Sequence, residues 1–248
     1  MNSPYDRTVV FPTELGKSRS KQLEGTSPTL VVPVGSTEQH GPHLPLDTDT
    51  RIAAAVADAV GSALRATDYP APVIVAPAVA YGASGEHRGF AGTVSIGTAA
   101  LEKLLVEFGR SSCEWADRVV FVNGHGGNVD ALRAAVGLLR TEKRDVGWCS
   151  CTVADGDAHA GHTETSLLLH ISPETVCIDD LRAGNVTPVA ELMPAMRHAG
   201  VMAVSEVGVL GDPTTATAAA GARLLTEMVD ACVQQVKRWA PGGDGMLR

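Results

Sequence analysis

Five side chains that can bind metal ions or transfer protons lie close together near the start of the chain: Glu38, His40, His43, Asp47 and Asp49. In an extended backbone, residues two apart point to the same side about 6.5–7 Å from each other, whereas on a helix they would diverge by about 200°. Paired divalent ions sit about 3.5–4 Å apart and about 2 Å from their ligands. The spacing of Glu38 and His40 therefore predicts two metal ions, with one of these residues on each.

A carboxylate beyond this pair could bridge the two ions, because each of its oxygens can bind a different ion. Asp47 and Asp49 both qualify for that role by their chemistry. The residues alone leave the choice between the two open.

Two further groups of ionisable residues follow later in the chain. His125 lies in the glycine-rich segment 123–128, and the second group is Asp155, Asp157, His159, His162 and Glu164. Taken alone, His125 could cap a turn, and 155–164 could be a solvated acidic loop with a capping Glu164. Three groups rich in histidine and carboxylate favour a shared metal site over these separate explanations.

The hydrophobic pattern predicts a strand before each group. The predicted strands are 29–34, 73–79, 118–122 and 146–153, and the predicted helices are 50–66, 98–115, one after residue 128, 163–171 and 214–239. We expect Asp212 to cap the last helix and 240–248 to be frayed. Alternating strands and helices indicate an α/β fold, in which ligands bind at the carboxyl ends of parallel strands.

Composition narrows the class of protein. The chain has 248 residues, 44% of them hydrophobic, which is enough for one domain over 1–248. The net charge of −8 argues against a nucleic-acid or anionic-membrane surface. We find neither a signal peptide nor a run near the ~20 apolar residues of a membrane span, so we expect a cytoplasmic protein. Five cysteines without a Cys-x-x-Cys pair indicate neither a disulfide framework nor a structural zinc site.

The turn at 123–128 allows a competing interpretation. A strand, a glycine-rich turn and a helix also form the dinucleotide-binding fingerprint, and Asp145 lies about where a ribose-binding acid would be expected. The pattern G-x-G-x-x-G, however, needs a glycine where this chain has Val129. A nucleotide-binding reductase is therefore the weaker alternative.

Several motifs resemble the creatininase family of two-metal amidohydrolases over essentially the whole chain: Gly-Ser-Thr-Glu-Gln-His-Gly-Pro-His-Leu-Pro at 35–45, Asp49, Asn-Gly-His-Gly-Gly-Asn at 123–128, His159-Ala-Gly, Glu164-Thr-Ser and Gly211-Asp-Pro. The resemblance implies a single-domain three-layer α/β/α sandwich with a mostly parallel sheet. It also implies a homo-oligomer with two divalent ions per chain. Histidine and carboxylate ligands accept Zn, Fe(II) and Mn(II) alike, so the metals stay open.

The resemblance assigns residues to the two ions. It places Glu38, Asp49 and His125 on one ion and His40, Asp49 and Glu164 on the other, so that Asp49 bridges. It gives His159 the catalytic role, which we interpret as protonation of the leaving nitrogen. Ser84 matches a substrate-contacting serine. Glu86 and His87 lie in the same glycine-rich loop, 81–93, which is too long for a simple turn, and we predict that they too bind substrate.

Within the family, the chain most resembles members that release a modified C-terminal Val-Tyr dipeptide from a ribosomally made precursor peptide. In creatininase itself, a Tyr-Glu pair stands at Gly126-Gly127 and a Trp at Asp155, so this ligand shell is one carboxylate poorer and lacks an aromatic wall. A peptide substrate is therefore favoured over creatinine. The alternatives are an amidohydrolase acting on a small cyclic amide or formamide, and a metal-binding module without catalysis.

Overall fold

A four-stranded parallel sheet forms the middle layer in the computed structural model, which describes residues 11–248. Its strands are β1 (Thr29–Val34), β2 (Val73–Val75), β3 (Arg118–Asn123) and β4 (Val146–Ser150). Their order across the sheet is β2-β1-β3-β4, and every neighbouring pair is parallel. The carboxyl ends of all four strands therefore lie at the same edge of the sheet.

Six α-helices surround the sheet within the described residues. They are α1 (Thr48–Arg65), α2 (Thr98–Ser112), α3 (Val129–Thr141), α4 (His162–Ile171), α5 (Val189–Ala199) and α6 (Ala218–Arg238). Between residues 11 and 248, none of the helices combines the length and the apolar character that a membrane crossing requires.

Alternating side chains of the strands build two separate cores. Val31 and Val120 face one side, where they pack with apolar side chains of α1, α4 and α6. Leu30 and Phe121 face the other side, where they pack with α2 and α3. Because successive residues of a strand point to opposite faces, a fully apolar strand needs a helical layer on each side. The structure thus confirms the predicted three-layer α/β/α sandwich, while the single-domain organisation over 1–248 stays a prediction.

The second strand is shorter than the prediction of 73–79. It ends at Val75, and Val79 returns to β1 only through an isolated bridge, with its N–H donating to the Pro33 carbonyl at 2.9 Å. Pro77 lies between them and has no N–H to give to the ladder. The apolar run continues past the point where regular pairing stops.

The predicted start of the last helix at Thr214 is wrong. Asp212 does act as a cap, but of a short 3₁₀ turn, Pro213–Thr215. Helix α6 begins at Ala218, and Thr217 Oγ1 accepts the N–H of Ala220 at 3.1 Å. Two capping signals follow each other here, and the prediction used only the first.

The prediction of a frayed C-terminal stretch at 240–248 is also wrong. Leu247 is completely buried, and its N–H donates to the Trp148 carbonyl at 2.8 Å. Trp148 in turn donates its N–H to the Gly245 carbonyl at 3.1 Å. The segment covers the outer edge of β4 and protects a strand edge that would otherwise be open.

This packing predicts that the C-terminal stretch contributes to stability. We expect Leu247→Ala to lower the free energy of unfolding by about 2–5 kcal/mol, because it removes a fully buried side chain. Leu104, which is 39% exposed on α2, is the matched control, and Leu104→Ala should cost less than about 1 kcal/mol. Urea denaturation measures both, and equal costs would contradict the packing role.

Candidate metal centre

The loops after β1, β3 and β4 bring the five predicted ligands together at the carboxyl edge of the sheet. The loop after β1 carries Glu38 and His40, and the turn after β3 carries His125. Asp49 lies in the first turn of α1 and Glu164 in the first turn of α4. Strands β1, β3 and β4 are neighbours in the sheet, and the segments that follow them carry all five residues. Residues far apart in sequence therefore meet at one edge of the sheet.

Asp49 lies between two histidines. Its Oδ1 is 3.1 Å from His40 Nε2, and its Oδ2 is 3.1 Å from His125 Nδ1. Asp47, by contrast, is 44% exposed and pairs with Arg51 at 2.7 Å. The two oxygens of Asp49 thus face different histidines, as a bridging carboxylate requires.

The tautomer of His40 turns a lone pair toward carboxylates. Its Nδ1–H donates to the Glu38 carbonyl at 3.1 Å, which leaves Nε2 facing Asp49 and, at 3.8 Å, Glu164 Oε2. Burial would lower the pKa of His40, but the carboxylates of Asp49, Glu164 and Glu38 outweigh burial and raise this pKa to about 10. A buried lone pair that faces carboxylates requires a proton or a metal cation between them.

Glu38 gives the clearest sign that a cation belongs here. The residue is completely buried, and neither of its carboxylate oxygens has a hydrogen-bond partner among residues 11–248. Burial raises the pKa of Glu38 to about 8. A buried carboxylate without partners costs several kcal/mol, and such groups normally pair or coordinate metals. Ligand atoms of Glu38, His40 and Asp49 lie within 4.8 Å of one another, so Asp49 is close to both of the other two.

His125 has carboxylates on both ring nitrogens. Nδ1 faces Asp49, while Nε2 lies 3.3 Å from Glu38 Oε2 and 3.4 Å from Glu86 Oε1. Burial would lower the pKa of His125, but Glu38 and Asp49 raise it to about 10. The side chain makes no capping bond to the turn that it begins, so the alternative of a turn-capping histidine is wrong.

His159 lines the cavity at the centre, but its charge state differs from that of His40 and His125. Burial, together with His40 and His87, keeps the pKa of His159 well below its usual range, so the ring is neutral at pH 7. Its Nε2 lies 2.8 Å from the Gln39 backbone carbonyl, which can only accept, so Nε2 carries the proton. The lone pair of Nδ1 is then free, 3.7 Å from Glu38 Oε1. The ring can therefore take up a proton or bind a metal at Nδ1.

The three predicted substrate residues lie at different depths. Ser84 is fully buried, with Oγ 3.5 Å from His125 Nε2, and His87 is 3% exposed. The ring of His87 fits between Glu38, 3.4 Å from Nε2, and the side-chain amide of Gln39, which donates to Nδ1 at 2.8 Å. Glu86 is more open and lines the cavity. Their role in substrate binding stays a prediction.

Two further ionisable residues of these groups, His43 and Asp157, make structural contacts. His43 is 1% exposed, and its Nε2 contacts Thr165 Oγ1 at 2.9 Å. Asp157 caps α4 by accepting the N–H groups of His162 and, at 2.9 Å, Thr163. The cap of α4 that was expected from Glu164 is thus supplied by Asp157. Glu164 Oε2 accepts the N–H of Ala160 at 2.6 Å and lies 3.8 Å from His40 Nε2.

Sequence reasoning missed two amides that hold the loops together. Asn128 accepts the N–H of Ala83 at 2.9 Å and donates to the Gly35 carbonyl at 2.9 Å, so it joins the loops after β1, β2 and β3. Gln39 accepts the N–H of Gly41 at 2.9 Å and, as described above, donates to His87. Both amides lie inside the recognised motifs, but only the fold reveals which loops they join.

A cavity of about 700 Å³ opens onto the centre. Asp49, His125, His159 and Glu164 form its floor, and α5 contributes an apolar side with Met193 and Met196. Two arginines, Arg88 and Arg197, also line it, and neither forms an ion pair or a side-chain hydrogen bond with the described residues. Helix α5 was not predicted, because Pro194 in its interior lacks an N–H and argues against a helix.

The family model described as creatininase, creatinine amidohydrolase, matches residues 14–236. The chain belongs to the creatininase family. It is 65% identical to the mycofactocin precursor peptide peptidase of Mycolicibacterium smegmatis and 64% identical to that of Mycobacterium tuberculosis strain H37Rv, over 100% of each chain in both cases. As a member of this family of peptidases and amidohydrolases, the chain is an enzyme.

Solved creatininase structures share the fold of this chain. A structure described as creatininase Mn has a TM-score of 0.74 at 23% identity and covers 93% of this chain and 99% of its own. A mutant creatininase of Zn-Zn type has a TM-score of 0.75 at 24% identity, over 92% and 98% of the two chains. At such identities, the likeness establishes the α/β architecture of the family and no further detail.

Proposed function

We propose that this enzyme is a two-metal peptidase that releases the modified C-terminal Val-Tyr dipeptide from the mycofactocin precursor peptide. The observation that carries the proposal is the full-length identity of 65% to a mycofactocin precursor peptide peptidase. The buried cluster of histidines and carboxylates supplies the chemistry that peptide hydrolysis needs.

The two ions have distinct ligand sets in this proposal. Glu38, Asp49 and His125 would hold one divalent ion, and His40, Asp49 and Glu164 would hold the other. When bound, such ions polarise the scissile carbonyl and lower the pKa of the attacking water. The ligands suit Zn, Fe(II) and Mn(II), and relatives of the family are described with Zn and with Mn.

The bridging position makes Asp49 critical for both ions. We expect Asp49→Ala to bind neither ion tightly, because it removes a ligand from each. Asp47→Ala is the matched control, since it removes a carboxylate two residues away whose partner is Arg51, and it should retain two ions. Metal content after dialysis, measured by mass spectrometry, tests this, and a full complement in Asp49→Ala would exclude a bridge.

His159 transfers protons in this mechanism. Because the ring is neutral and Nε2 donates to Gln39, the free lone pair on Nδ1 can accept the proton of the attacking water. The protonated ring then delivers this proton to the leaving nitrogen as the C–N bond breaks. Burial favours the neutral ring, so proton release to the leaving group restores the more stable state.

We expect His159→Ala to separate proton transfer from metal binding. It should retain both ions, while kcat on the peptide falls by about 10²–10⁴-fold and KM changes little. His162→Ala is the control, because His162 Nδ1 contacts Thr215 Oγ1 at 2.8 Å on the surface and should keep near-normal kcat. Loss of a metal ion in His159→Ala would make His159 a ligand instead.

The cavity wall suits the end of a peptide better than a small planar ring. Apart from histidines, no aromatic side chain is among its lining residues in the described part of the chain, so no phenylalanine, tyrosine or tryptophan ring lines it to stack on creatinine. Met193 and Met196 offer apolar contacts to a valine or tyrosine side chain. Arg88 and Arg197 have free guanidinium groups for a C-terminal carboxylate.

The arginines predict a requirement for a free C-terminus. We expect Arg88→Gln and Arg197→Gln to lower kcat/KM by about 10–100-fold, the value of a charged hydrogen bond of about 1.5–3 kcal/mol. A peptide with an amidated C-terminus should be cut slowly by the wild type and be nearly insensitive to both substitutions. Arg223→Gln, on the exposed face of α6 outside the cavity, is the control. An equal loss of kcat/KM on both peptides would show that the arginines do not bind the C-terminal carboxylate.

The proposal itself is tested with the metal-loaded protein and the modified precursor peptide. Mass spectrometry should detect the released Val-Tyr dipeptide and the shortened precursor. Turnover of a small cyclic amide or a formamide in place of the peptide would favour the other amidohydrolase activity, and bound metal without any turnover would indicate a binding module. The homo-oligomer implied by the family stays a prediction.

A further inference from the structure

We infer that Glu86 is a further ligand of the ion that Glu38 and His125 hold. The inference rests on the two-metal centre of the proposed function and reassigns a residue that we had predicted to bind substrate. It starts from the position of the Glu86 carboxylate, which lies beside the centre rather than in the outer cavity.

The contacts of Glu86 point to this role. Oε1 lies 3.4 Å from His125 Nε2, and Glu38 Oε2 lies 3.3 Å from the same nitrogen. Ligands about 2.0–2.1 Å from one tetrahedral ion are about 3.3–3.4 Å apart, which matches both separations. Ligand atoms of all three residues lie within 4.8 Å of one another. An ion at Nε2 could therefore lie among these three residues without large movement of their side chains.

The Glu86 carboxylate has no competing partner in the described part of the chain. Its one ion-pair contact among residues 11–248 is with His125, and no side chain or backbone N–H there donates to it. Arg88, two residues away in sequence, forms no ion pair with it in this part of the chain. The carboxylate of Glu86 faces the centre.

Gly127 creates the space that Glu86 occupies. A Cβ at position 127 would lie 2.5 Å from Glu86 Oε1, 2.5 Å from His125 Nε2 and 2.3 Å from the Ala83 carbonyl oxygen. Any side chain at this position would therefore displace the carboxylate. The glycine lets a carboxylate from the loop after β2 reach a histidine from the turn after β3.

The charge balance agrees with a fourth carboxylate. Two divalent ions carry a charge of about +4, and Glu38, Asp49 and Glu164 supply three negative charges when ionised. Glu86 would supply the fourth and make the loaded centre neutral while the attacking water keeps its proton. The ligand shell that appeared one carboxylate short from sequence is then complete, with the missing group supplied by a different loop.

The experiment is a titration of the metal-free protein with Mn(II), in which electron paramagnetic resonance measures the free ion. The wild type should bind two ions. Glu86→Gln keeps the shape of the side chain but removes its charge, and we expect it to weaken one ion by more than about 100-fold, the upper range for groups outside the ligand shell. The second ion should change far less, because its ligands are His40, Asp49 and Glu164.

Two further variants control for charge and folding. Glu227→Gln removes one negative charge on the exposed face of α6 and should bind both ions like the wild type. Glu86→Asp keeps the charge but shortens the side chain, so weakening of the same ion identifies direct coordination. The melting temperature of each metal-free variant shows whether it folds.

The outcomes separate this inference from the proposed function. Unchanged Mn(II) binding in Glu86→Gln, or a smaller and equal weakening of both ions, overturns the role of Glu86 while leaving the peptidase proposal intact. Selective loss of one ion supports the inference even if the wild type fails to cleave the precursor peptide. A wild type that binds no Mn(II) overturns the inference directly.

Discussion

The buried carboxylate of Glu38 is the constraint on which this structure depends. It lies at 0% exposure without a hydrogen-bond donor among the described residues, between imidazoles on several sides. No well-packed interior tolerates such a group unless positive charge compensates it. Neighbouring carboxylates raise the pKa values of His40 and His125 to about 10 against the effect of burial, so these rings can hold protons when no metal is bound. The same arrangement makes divalent cations strongly favoured, so the affinity for metal follows from the cost of burial.

Close approach of backbone segments positions the residues around Glu38. It occurs where the candidate ligands converge. A Cβ on Gly35 would lie 2.4 Å from the Thr50 Cα, and a Cβ on Gly124 would lie 2.5 Å from the Asp49 carbonyl oxygen. These two glycines come directly after β1 and β3, and they allow the first turn of α1 to sit against both strand ends. The position of Asp49 between its two histidines is therefore set by backbone packing rather than by the flexibility of its side chain.

The sequence predicted the layers, and the convergence of the candidate ligands, better than it predicted the ends of the chain's elements. Short apolar runs marked the strands because both faces of the sheet are covered, and dense ionisable motifs marked the loops at one edge. The predictions failed where contacts between residues far apart in sequence determine the structure. Leu247 is ordered only because it pairs with Trp148 across about a hundred residues of sequence. Likewise, no local signal in the loop 81–93 indicates that Glu86 lies over Gly127, since that contact depends on how two strand-end loops meet.

The candidate metal centre and the apolar wall of the cavity belong to separate parts of this molecule. The ligands leave the sheet, whose two large cores fix their positions, whereas α5 packs on a small third cluster around Leu192, Val201 and Leu210. Changes in such a small cluster disturb few contacts of the main cores. The outer wall can therefore change its apolar and charged side chains while the metal ligands stay in place. In this molecule the candidate metal ligands and the apolar wall of the cavity therefore depend on different packing contacts.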